Sequence, residues 1–240
     1  MIYKTFKRIF DLLIASCILL LTLPLILLIM LVLKCKGEGK VFFIQKRIGY
    51  RNRNLALIKF TTMFSDSTTK GAGFLTIKND PRVTPFGSFL RKSKLDELPQ
   101  LFLVLKGDLS LVGPRPVVKE LFLDYPNNLR EHIYDKKPGI TGIASIVFRN
   151  ESDIITNSGI DPQIYYREYI APHKAALEIW YQKKASLLLD IQLVLLTGWV
   201  LFFPSSNIIY DLYNDLPKWE FSVSKKLKRG YINSLGQTGS

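Results

Sequence analysis

The sequence predicts an α+β fold that is mainly helical. A membrane-embedded N-terminal segment precedes a compact cytoplasmic domain, which carries a small β-hairpin and interfacial amphipathic helices. Three observations support this prediction. An uncharged apolar run extends from Leu12 to Leu33. Apolar residues recur at helical spacing just after residue 97, and two short β-like runs at 41–44 and 55–60 flank a polar turn, as in a hairpin.

Composition narrows the class of protein. The net charge is +13, yet 48% of the 240 residues are hydrophobic, which argues against disorder. A folded and strongly basic chain indicates an anionic partner such as nucleic acid, acidic lipid headgroups or phosphorylated substrates. With two cysteines and two histidines, neither a disulfide framework nor a histidine-rich metal site is expected, so any metal would be a hard cation with oxygen ligands.

The apolar run has two features that bear on its topology. At about 1.5 Å per residue it is long enough to cross a hydrocarbon core of roughly 30 Å, but Pro24 interrupts its hydrogen-bond ladder near the middle. Basic residues flank both ends, and cationic loops prefer the cytoplasmic side. A re-entrant helix–break–helix over residues 1–35 satisfies both constraints, and a kinked but complete span remains the alternative.

Two adjacent carboxylates, Asp96 and Glu97, stand in a basic neighbourhood before a short apolar helix. Pro99 indicates where that helix begins, because proline is tolerated only in the first turn, and Gly107 indicates where it ends. Asp96 is the predicted N-cap, where the positive end of the helix favours an ionised carboxylate. Asp96 is therefore expected to be charged and nucleophilic, with an ordinary N-cap as the alternative.

Other segments carry weaker signals. Lys59 lies in an apolar context and needs an anion or carboxylate partner, unless it is a solvent-facing strand lysine. Residues 64–79 read as a mobile loop, and the glycines of 138–142 could let backbone N–H groups approach a phosphate. Residues 186–203 form an apolar helix interrupted by Asp190, which fits an interfacial helix or a packed soluble one.

The acidic pair lies within two ungapped stretches, SKLDELPQL at 93–101 and VLKGDLSLVGPRP at 104–116. In both, the chain closely resembles the bacterial sugar transferase family. These proteins are monotopic phosphoglycosyl transferases that start undecaprenyl-linked glycan assembly. Pro24 matches the family's re-entrant helix break, and the segment Lys59-Phe60-x-Thr62-Met63 matches its segment with an active-site lysine.

The resemblance implies an enzyme that moves a sugar-1-phosphate from a UDP-sugar to undecaprenyl phosphate and releases UMP. It further implies Mg²⁺ and a covalent phosphosugar–aspartate intermediate on Asp96, with Asp96 also a tentative Mg²⁺ ligand and Glu97 assisting. The implied substrate-binding residues are Lys59, Arg91, Pro114, Arg115, Arg149 and Glu178. Arg82, in the family-like segment from Asp80 to Arg91, is expected to be structural.

The chain departs from the family pattern at three positions. The family usually has Arg or Lys where Thr61 stands, Gln where Ser145 stands, and Asp where Glu178 stands. The first two departures bear on substrate recognition, whereas Glu178 keeps a carboxylate. Residues 150–174 are longer and more polar than in the shortest family members, and the sequence assigns no role to them.

The expected organisation is a re-entrant hairpin at 1–35, a catalytic domain at 36–204 and a basic, partly disordered tail at 205–240. The resemblance places the protein at the bacterial inner membrane, in contact with its lipids and with the active site on the cytoplasmic face. Nucleic acid is not an expected partner, and an oligomer is compatible with the sequence. The alternative function is a membrane-tethered basic module that binds nucleic acid or anionic lipid without catalysis; the particular UDP-sugar and glycan pathway are left open.

Overall fold

The computed structural model describes residues 2–36, 40–64 and 75–218. Its first element is α1, Ile2–Lys36, which is helical through Pro24. Upstream of the proline, the Thr22 hydroxyl donates a 2.7 Å hydrogen bond to the carbonyl of Ile18. In the described part of the chain, this is the helix whose length and composition suffice to cross a membrane. The re-entrant path through the bilayer stays a prediction.

The predicted hairpin is confirmed. Strands β1, Phe42–Ile48, and β2, Asn54–Phe60, pair antiparallel with Phe42 opposite Phe60 and Ile48 opposite Asn54. The chain reverses through a 3₁₀ turn at Tyr50–Asn52, in which Arg51 and Asn52 both have positive φ. Side chains directly opposite each other share a face of the sheet, so this register decides which residues the hairpin presents to the rest of the protein.

Helix α2, Pro85–Lys92, begins at Thr84, whose hydroxyl accepts a hydrogen bond from the N–H of Gly87. A 3₁₀ turn, Leu95–Glu97, connects it to α3, Gln100–Lys106. Helix α3 ends where the sequence predicts, at Gly107, which adopts the left-handed φ of 97° that favours glycine.

The predicted N-cap role of Asp96 is wrong. The residue before the 3₁₀ turn is Lys94, in a left-handed conformation with φ 59°, and Asp96 lies in the middle of that turn without capping any N–H through its side chain. Pro99 immediately precedes α3 instead of lying inside its first turn. The chain turns at Lys94, and Asp96 is buried two residues later.

Strands β3, Ser110–Val112, and β4, Gly139–Thr141, form a short parallel pair. They are close enough that a Cβ on Gly113 would lie 2.3 Å from the carbonyl oxygen of Lys137, and one on Gly142 would lie 2.3 Å from the carbonyl oxygen of Gly113. Backbone packing therefore requires these glycines. The predicted approach of a phosphate to the glycines of 138–142 stays a prediction.

The remaining described elements are helical. The sequence of residues 117–134 favours one helix, but the structure has two short helices there. The residues after the turn at 136–144 are β-like up to Phe148 and Arg149, but helix α6 occupies most of that stretch. A five-residue π-helical stretch, Tyr166–Ile170, joins α8 to α9. The helices are α4 Lys119–Leu123, α5 Asn127–Arg130, α6 Ile143–Val147, α7 Glu151–Ser158, α8 Pro162–Tyr165, α9 Ala171–Lys184, α10 Leu187–Phe202 and α11 Ile208–Leu212.

Polar contacts attach the N-terminal part of α1 to the rest of the domain. Arg8 donates hydrogen bonds of 2.6 and 2.8 Å to the carbonyls of Val104 and Leu105 in the last turn of α3. Asp11 is buried and accepts a 2.7 Å hydrogen bond from the hydroxyl of Ser110 in β3. The helix with the membrane-length apolar run therefore contacts the two elements that follow the acidic pair.

Asp190, the polar interruption of α10, is fully buried. Its carboxylate pairs with Lys7 at 2.8 Å and accepts hydrogen bonds from the hydroxyls of Tyr3 and Tyr181. Because each carboxylate oxygen has a partner, the buried charge is compensated and joins α1, α9 and α10. The opposite side of α10 exposes large apolar residues such as Leu195 and Phe202, and its location at a bilayer interface stays a prediction.

Two predicted segments lie wholly or partly outside the described residues. Residues 65–74 of the predicted loop and residues 219–240 of the predicted tail are not described. The beginning of the tail, residues 205–218, contains α11 and buries Leu216. Asp215 accepts a hydrogen bond from the indole N–H of Trp180, so this part of the tail packs on α9. The domain boundaries themselves stay predictions.

Candidate active site

The acidic pair lies at the junction of the hairpin, the helix pair α2–α3 and the segment after β3. Asp96 is 6% exposed, although it is a carboxylate in a short polar turn. Among the described residues, no hydrogen bond or ion pair occupies its oxygens. A buried carboxylate without a bound partner is costly, and its oxygens remain available to a ligand.

Glu97 has a different environment from its neighbour. Its Oε1 lies 2.5 Å from Nη2 of Arg115, and its Oε2 lies 3.5 Å from Nη1, so the pair has the forked geometry of a bidentate contact. Burial favours the neutral form, but Arg115, with help from Lys94 and Lys59, outweighs it and lowers the pKa of Glu97 to about 2.

Asp96 lacks the helix-terminus stabilisation that the sequence predicted, while its predicted ionised state stays a prediction. Burial, reinforced by the charge of Glu97, raises the pKa of Asp96, against the opposing effect of Lys59, Lys94 and Arg91. The expected stabilisation by a helix terminus is missing because Asp96 is not at the terminus of α3. Desolvation makes a carboxylate more basic, and a more basic carboxylate is a stronger nucleophile once it is deprotonated.

Lys59 faces the acidic pair from strand β2. It is half-buried, and its Nζ lies 5.5 Å from the ring centroid of Phe43, which is directly opposite on β1. Burial, together with the nearby Arg47 and Arg91, lowers the pKa of Lys59 to about 8, and the acidic pair only partly opposes this. No carboxylate forms an ion pair with Lys59 within the described ranges, so the predicted need for an anionic partner is still open.

Arg91 projects from the last turn of α2 toward the same region. Its Nε donates to the hydroxyl of Thr62 at 2.8 Å, and its Nη1 donates to that of Thr76 at 3.3 Å. Burial lowers the pKa of Arg91, and the nearby charge of Asp96 is the largest effect that opposes this. Arg82 is different because it forms a buried ion pair with Asp80 at 2.6 Å, which agrees with its predicted structural role.

The backbone of Arg115 is fixed by hydrogen bonds to Glu178 of α9 and to Tyr134. Its backbone N–H donates to Oε1 of Glu178 at 3.2 Å, and its carbonyl accepts a 2.8 Å hydrogen bond from the hydroxyl of Tyr134. Glu178 is 2% exposed and its Oε2 has no partner among the described residues. Burial raises the pKa of Glu178 to about 8. Glu178 thus contacts the backbone of the Pro114–Arg115 segment, and Pro114 is itself buried there.

Arg149 is not brought together with the other predicted residues. Its guanidinium donates to three backbone carbonyls, those of Ile146, Pro204 and Ser206, at 2.7 to 3.0 Å. These bonds join the end of α6 to the turn after α10. All three hydrogen bonds of the Arg149 guanidinium are therefore made to the protein backbone. Its role in holding a phosphate or nucleotide stays a prediction.

The structure adds two residues that the sequence analysis did not place in the site, Arg47 and Gln100. A pocket that contains Glu97, but not Asp96, in its lining is formed by Arg47, Leu57, Lys59, Glu97, Gln100, Arg115 and Pro116. The hairpin register could have identified Arg47. Phe43 is opposite Lys59, and alternation along β1 places Arg47 on the same face as Phe43 and Lys59. Gln100 is buried in the first turn of α3, where its type alone indicates no function.

Two of the three positions that depart from the family pattern, Thr61 and Ser145, have hydroxyl groups without hydrogen-bond partners among the described residues. The Oγ1 of Thr61 and the Oγ of Ser145 are both buried and make no hydrogen bond to the described residues. Thr61 follows β2 directly and precedes Thr62, whose hydroxyl accepts from Arg91. The expected cation at position 61 is therefore replaced by a polar atom with unused hydrogen-bonding capacity.

The residues around Asp96 fit a magnesium ion that takes a single carboxylate ligand from the protein. The described residues contain no group of three or more metal-ligating side chains. Mg²⁺ commonly takes only one or two carboxylates and completes its shell with water and substrate phosphates. The unpartnered oxygens of Asp96 can supply one such ligand, whereas the oxygens of Glu97 are engaged by Arg115.

A buried acidic pair among cations, next to a membrane-length apolar helix, is typical of an enzyme that acts on phosphorylated substrates near a bilayer. The bacterial sugar transferase family matches residues 2–204. The chain belongs to this family, which is a class of phosphoglycosyl transferase enzymes.

Relatives support the assignment. The chain is 38% identical over 171 residues to the exopolysaccharide production protein ExoY of Rhizobium meliloti, covering 65% of this chain and 75% of ExoY. It is 35% identical over 201 residues to the undecaprenyl-phosphate glucose phosphotransferase of Komagataeibacter xylinus, covering 80% of this chain and 35% of that protein.

A third relative is the UDP-N-acetylgalactosamine-undecaprenyl-phosphate N-acetylgalactosaminephosphotransferase of Aeromonas hydrophila. It is 36% identical over 200 residues, covering 82% of this chain and 43% of the relative. The chain therefore spans less than half the length of the two relatives whose names state a substrate. Family membership and the long apolar helix together indicate membrane association.

Proposed function

We propose that this chain transfers a sugar-1-phosphate from a UDP-sugar to undecaprenyl phosphate, with Asp96 as the covalent nucleophile. The observation that carries the proposal is the contrast within the acidic pair. The charge of Glu97 is paired with Arg115, while Asp96 is buried with free oxygens. The names of the relatives from Komagataeibacter xylinus and Aeromonas hydrophila supply the substrate classes.

The reaction consists of two displacements at one phosphorus atom. A carboxylate oxygen of Asp96 bonds to the sugar-bearing phosphorus of the UDP-sugar, the bond from that phosphorus to the UMP oxygen breaks, and UMP leaves with the electron pair. A phosphate oxygen of undecaprenyl phosphate then attacks the same phosphorus and displaces Asp96. Dividing the transfer into two steps lets each large substrate react separately.

The chain's cations have distinct tasks in this proposal. Lys59 and Arg91 approach Asp96 from β2 and α2 and would balance charge on the phosphate groups that react there. Arg115 keeps Glu97 ionised and positioned, and still presents an exposed edge of its guanidinium to the pocket. Raising the basicity of Asp96 by burial improves its reactivity, and the surrounding cations keep a deprotonated population available.

Magnesium is included in the proposal because the site fits it. When bound, Mg²⁺ would neutralise phosphate charge and stabilise the departing UMP oxygen. Asp96 would contribute one oxygen to the ion. The proposal places the site at the cytoplasmic face of the bacterial inner membrane, since the cytoplasm supplies UDP-sugars and basic residues flank both ends of the apolar run. Membership of an enzyme family disfavours the alternative of a non-catalytic basic module.

The test is UMP release by the full chain in lipid nanodiscs with undecaprenyl phosphate, Mg²⁺ and a panel of UDP-hexoses and UDP-N-acetylhexosamines. We expect at least one sugar nucleotide to give lipid-dependent UMP release. Asp96→Asn should lower the rate by at least about 100-fold, because an amide cannot replace the nucleophile. A donor labelled in the sugar should label wild-type protein covalently, and should not label Asp96→Asn.

Asp108→Asn is the matched control. Asp108 is a carboxylate twelve positions downstream that forms a surface ion pair with Lys106 at 2.8 Å, so its rate should remain within about twofold of wild type. Absence of UMP release across the whole panel would refute the transferase proposal. Full turnover by Asp96→Asn would refute the nucleophile and leave the transferase class standing.

A further inference from the structure

The face of the hairpin that is directed toward the acidic pair combines cations with an apolar surface. Phe43 lies directly opposite Lys59, and Arg47 is two positions further along the same face, beyond Gln45. Phe43 is 42% exposed. An exposed aromatic ring is thus continuous with two half-buried cations, and both cations line the pocket beside Glu97.

Neither cation has a counter-ion in the described parts of the chain. The Nε and Nη2 of Arg47 donate to Oε1 of Gln45 at 3.0 and 2.7 Å, and its Nη1 donates to the carbonyl of Pro116 at 3.0 Å. These neutral acceptors orient the guanidinium without neutralising it. Burial and the neighbouring Arg115 lower the pKa of Arg47 to about 10, because two guanidinium groups repel each other at short range.

This arrangement costs stability when the pocket is empty of anions. Partly buried cations that repel each other are normally separated or paired with carboxylates during the evolution of a stable fold. Here Gln45 and Pro116 hold Arg47 in place, and the one carboxylate of the pocket, Glu97, is taken by Arg115. The pocket is therefore pre-organised for a ligand that carries negative charge.

We propose that this hairpin face, defined by Phe43, Arg47 and Lys59, is the subsite for the phosphate of the lipid acceptor, with the prenyl chain leaving across Phe43. The inference rests on the proposed transfer to undecaprenyl phosphate and assigns that substrate to a place in the site. A phosphate monoester matches the two unpaired cations, and an isoprenoid chain matches the adjoining aromatic surface.

The rival occupant is the diphosphate of the sugar nucleotide, which has the same charge but no apolar chain. The lipid is favoured because Phe43 lies beside the two cations and outside the pocket lining, as a hydrocarbon chain leaving a bound phosphate requires. A uracil ring stacked on Phe43 is the alternative that the KM for the UDP-sugar reveals. Arg91, which approaches Asp96 from α2 and bonds to Thr62 and Thr76, is on a different element and remains for the donor.

The test separates the Michaelis constants of the two substrates, measured with the full chain in nanodiscs. Arg47→Gln removes a charged contact to the acceptor and should raise KM for undecaprenyl phosphate at least about tenfold. Phe43→Ser should raise it at least about fivefold through lost apolar contact. In both variants KM for the UDP-sugar should change by a much smaller factor.

Ile44→Ser is the matched control for Phe43→Ser. Ile44 is adjacent in β1 and more exposed, at 64%, but its side chain points to the opposite face. A general loss of membrane contact would affect Ile44→Ser at least as much, whereas the proposed subsite predicts an effect of Phe43→Ser alone. Because Phe43 is exposed, its variant decides the question even where Arg47→Gln does not fold.

Three outcomes would overturn the subsite. These are an unchanged KM for undecaprenyl phosphate in Phe43→Ser, an equal rise in Ile44→Ser, and a dominant rise in KM for the UDP-sugar, which would assign the pocket to the donor. If wild-type protein itself shows no lipid-dependent UMP release with any donor, the proposed function fails and the subsite fails with it. Activity of the wild type therefore distinguishes the two failures.

Discussion

Glu97 and Arg115 form a forked ion pair between residues 18 positions apart, and the pair leaves Asp96 as the free acid of the adjacent carboxylates. The backbone of Arg115 is held on both sides, because its N–H donates to Glu178 and its carbonyl accepts from the hydroxyl of Tyr134. One charge is thus used to fix the geometry of the site, and the neighbouring charge is kept available for chemistry.

The Glu97–Arg115 pair predicts a pH dependence of stability. The pKa of Glu97 is about 2 in the folded protein, below its unfolded value of about 4.3. The stabilisation is therefore fully present above about pH 4.3 and is lost as the pH falls toward 2. Glu97→Gln should unfold more easily at pH 7 by about 1–2 kcal/mol, allowing for the partial exposure of Arg115.

Thermal unfolding of wild-type protein and Glu97→Gln between pH 7 and pH 3 measures this. The difference in Tm should shrink as the pH falls through 4. Glu120→Gln is the control, since Glu120 is an exposed carboxylate in the first turn of α4. A constant Tm difference for Glu97→Gln over the whole range would contradict the assigned ion pair.

The lowered pKa of Lys59 predicts that activity decreases at alkaline pH. Its pKa of about 8 in the free protein implies that the ammonium loses its charge as the pH rises through 8. The profile of kcat/KM, which reports the free enzyme, should therefore fall above about pH 8. Lys59→Arg should retain activity to higher pH, because a guanidinium stays charged.

Lys46→Arg is the matched control for this profile. Lys46 belongs to the same hairpin, but its alternation with Arg47 places it on the other face, so its variant should keep the alkaline limb of the wild type. The measurement is initial rate at low substrate from pH 6 to pH 10. If Lys59→Arg and wild-type protein lose activity at the same alkaline pH, Lys59 is not the group whose titration limits activity.

Gly113 predicts a packing requirement next to Arg115. A Cβ there would lie 2.3 Å from the carbonyl oxygen of Lys137 and 3.0 Å from the N–H of Gly139, both backbone atoms that cannot rotate away. Gly113→Ala should therefore destabilise the protein by at least about 1–3 kcal/mol, and kcat/KM should decrease because the Arg115 segment shifts.

Gly198→Ala is the control, because nothing lies within 4 Å of a Cβ at that position in α10. Alanine has the higher helix propensity, so Gly198→Ala should be neutral or more stable by up to about 1 kcal/mol. Thermal unfolding measures both variants. A Gly113→Ala protein as stable as wild type would show that β3 and β4 can separate freely.

Asp190 predicts coupling between α1 and the domain. Asp190→Asn leaves Lys7 buried without a counter-charge, and breaking a buried pair in this way costs about 3–5 kcal/mol. Adding Lys7→Met to Asp190→Asn should recover part of that loss, since the unpaired charge is then absent. Asp211→Asn, on the exposed side of α11, should have little effect. Additive losses in the double variant would argue against direct pairing.

Local patterns in the sequence predicted the elements that depend on neighbouring residues. The β-like runs at 41–44 and 55–60 became the hairpin, and Gly107 ended α3 as expected. The N-cap assignment failed because Lys94 adopts a left-handed conformation, which no neighbouring residue type demands. The predicted β-like structure is instead helix α6, which begins directly after Gly142 contacts the backbone of Gly113, a non-local neighbour that local residue patterns do not reveal.

The sequence by itself determined the family, the acidic pair and the membrane-length apolar run, because each is a contiguous pattern of residue types. Only the tertiary structure decided that Glu97 is neutralised by Arg115, that Arg47 joins Lys59 in one pocket, and that Arg149 bonds to backbone carbonyls elsewhere. These outcomes depend on which distant segments meet. Charge pairing and desolvation act over a few ångströms of space, regardless of separation along the chain.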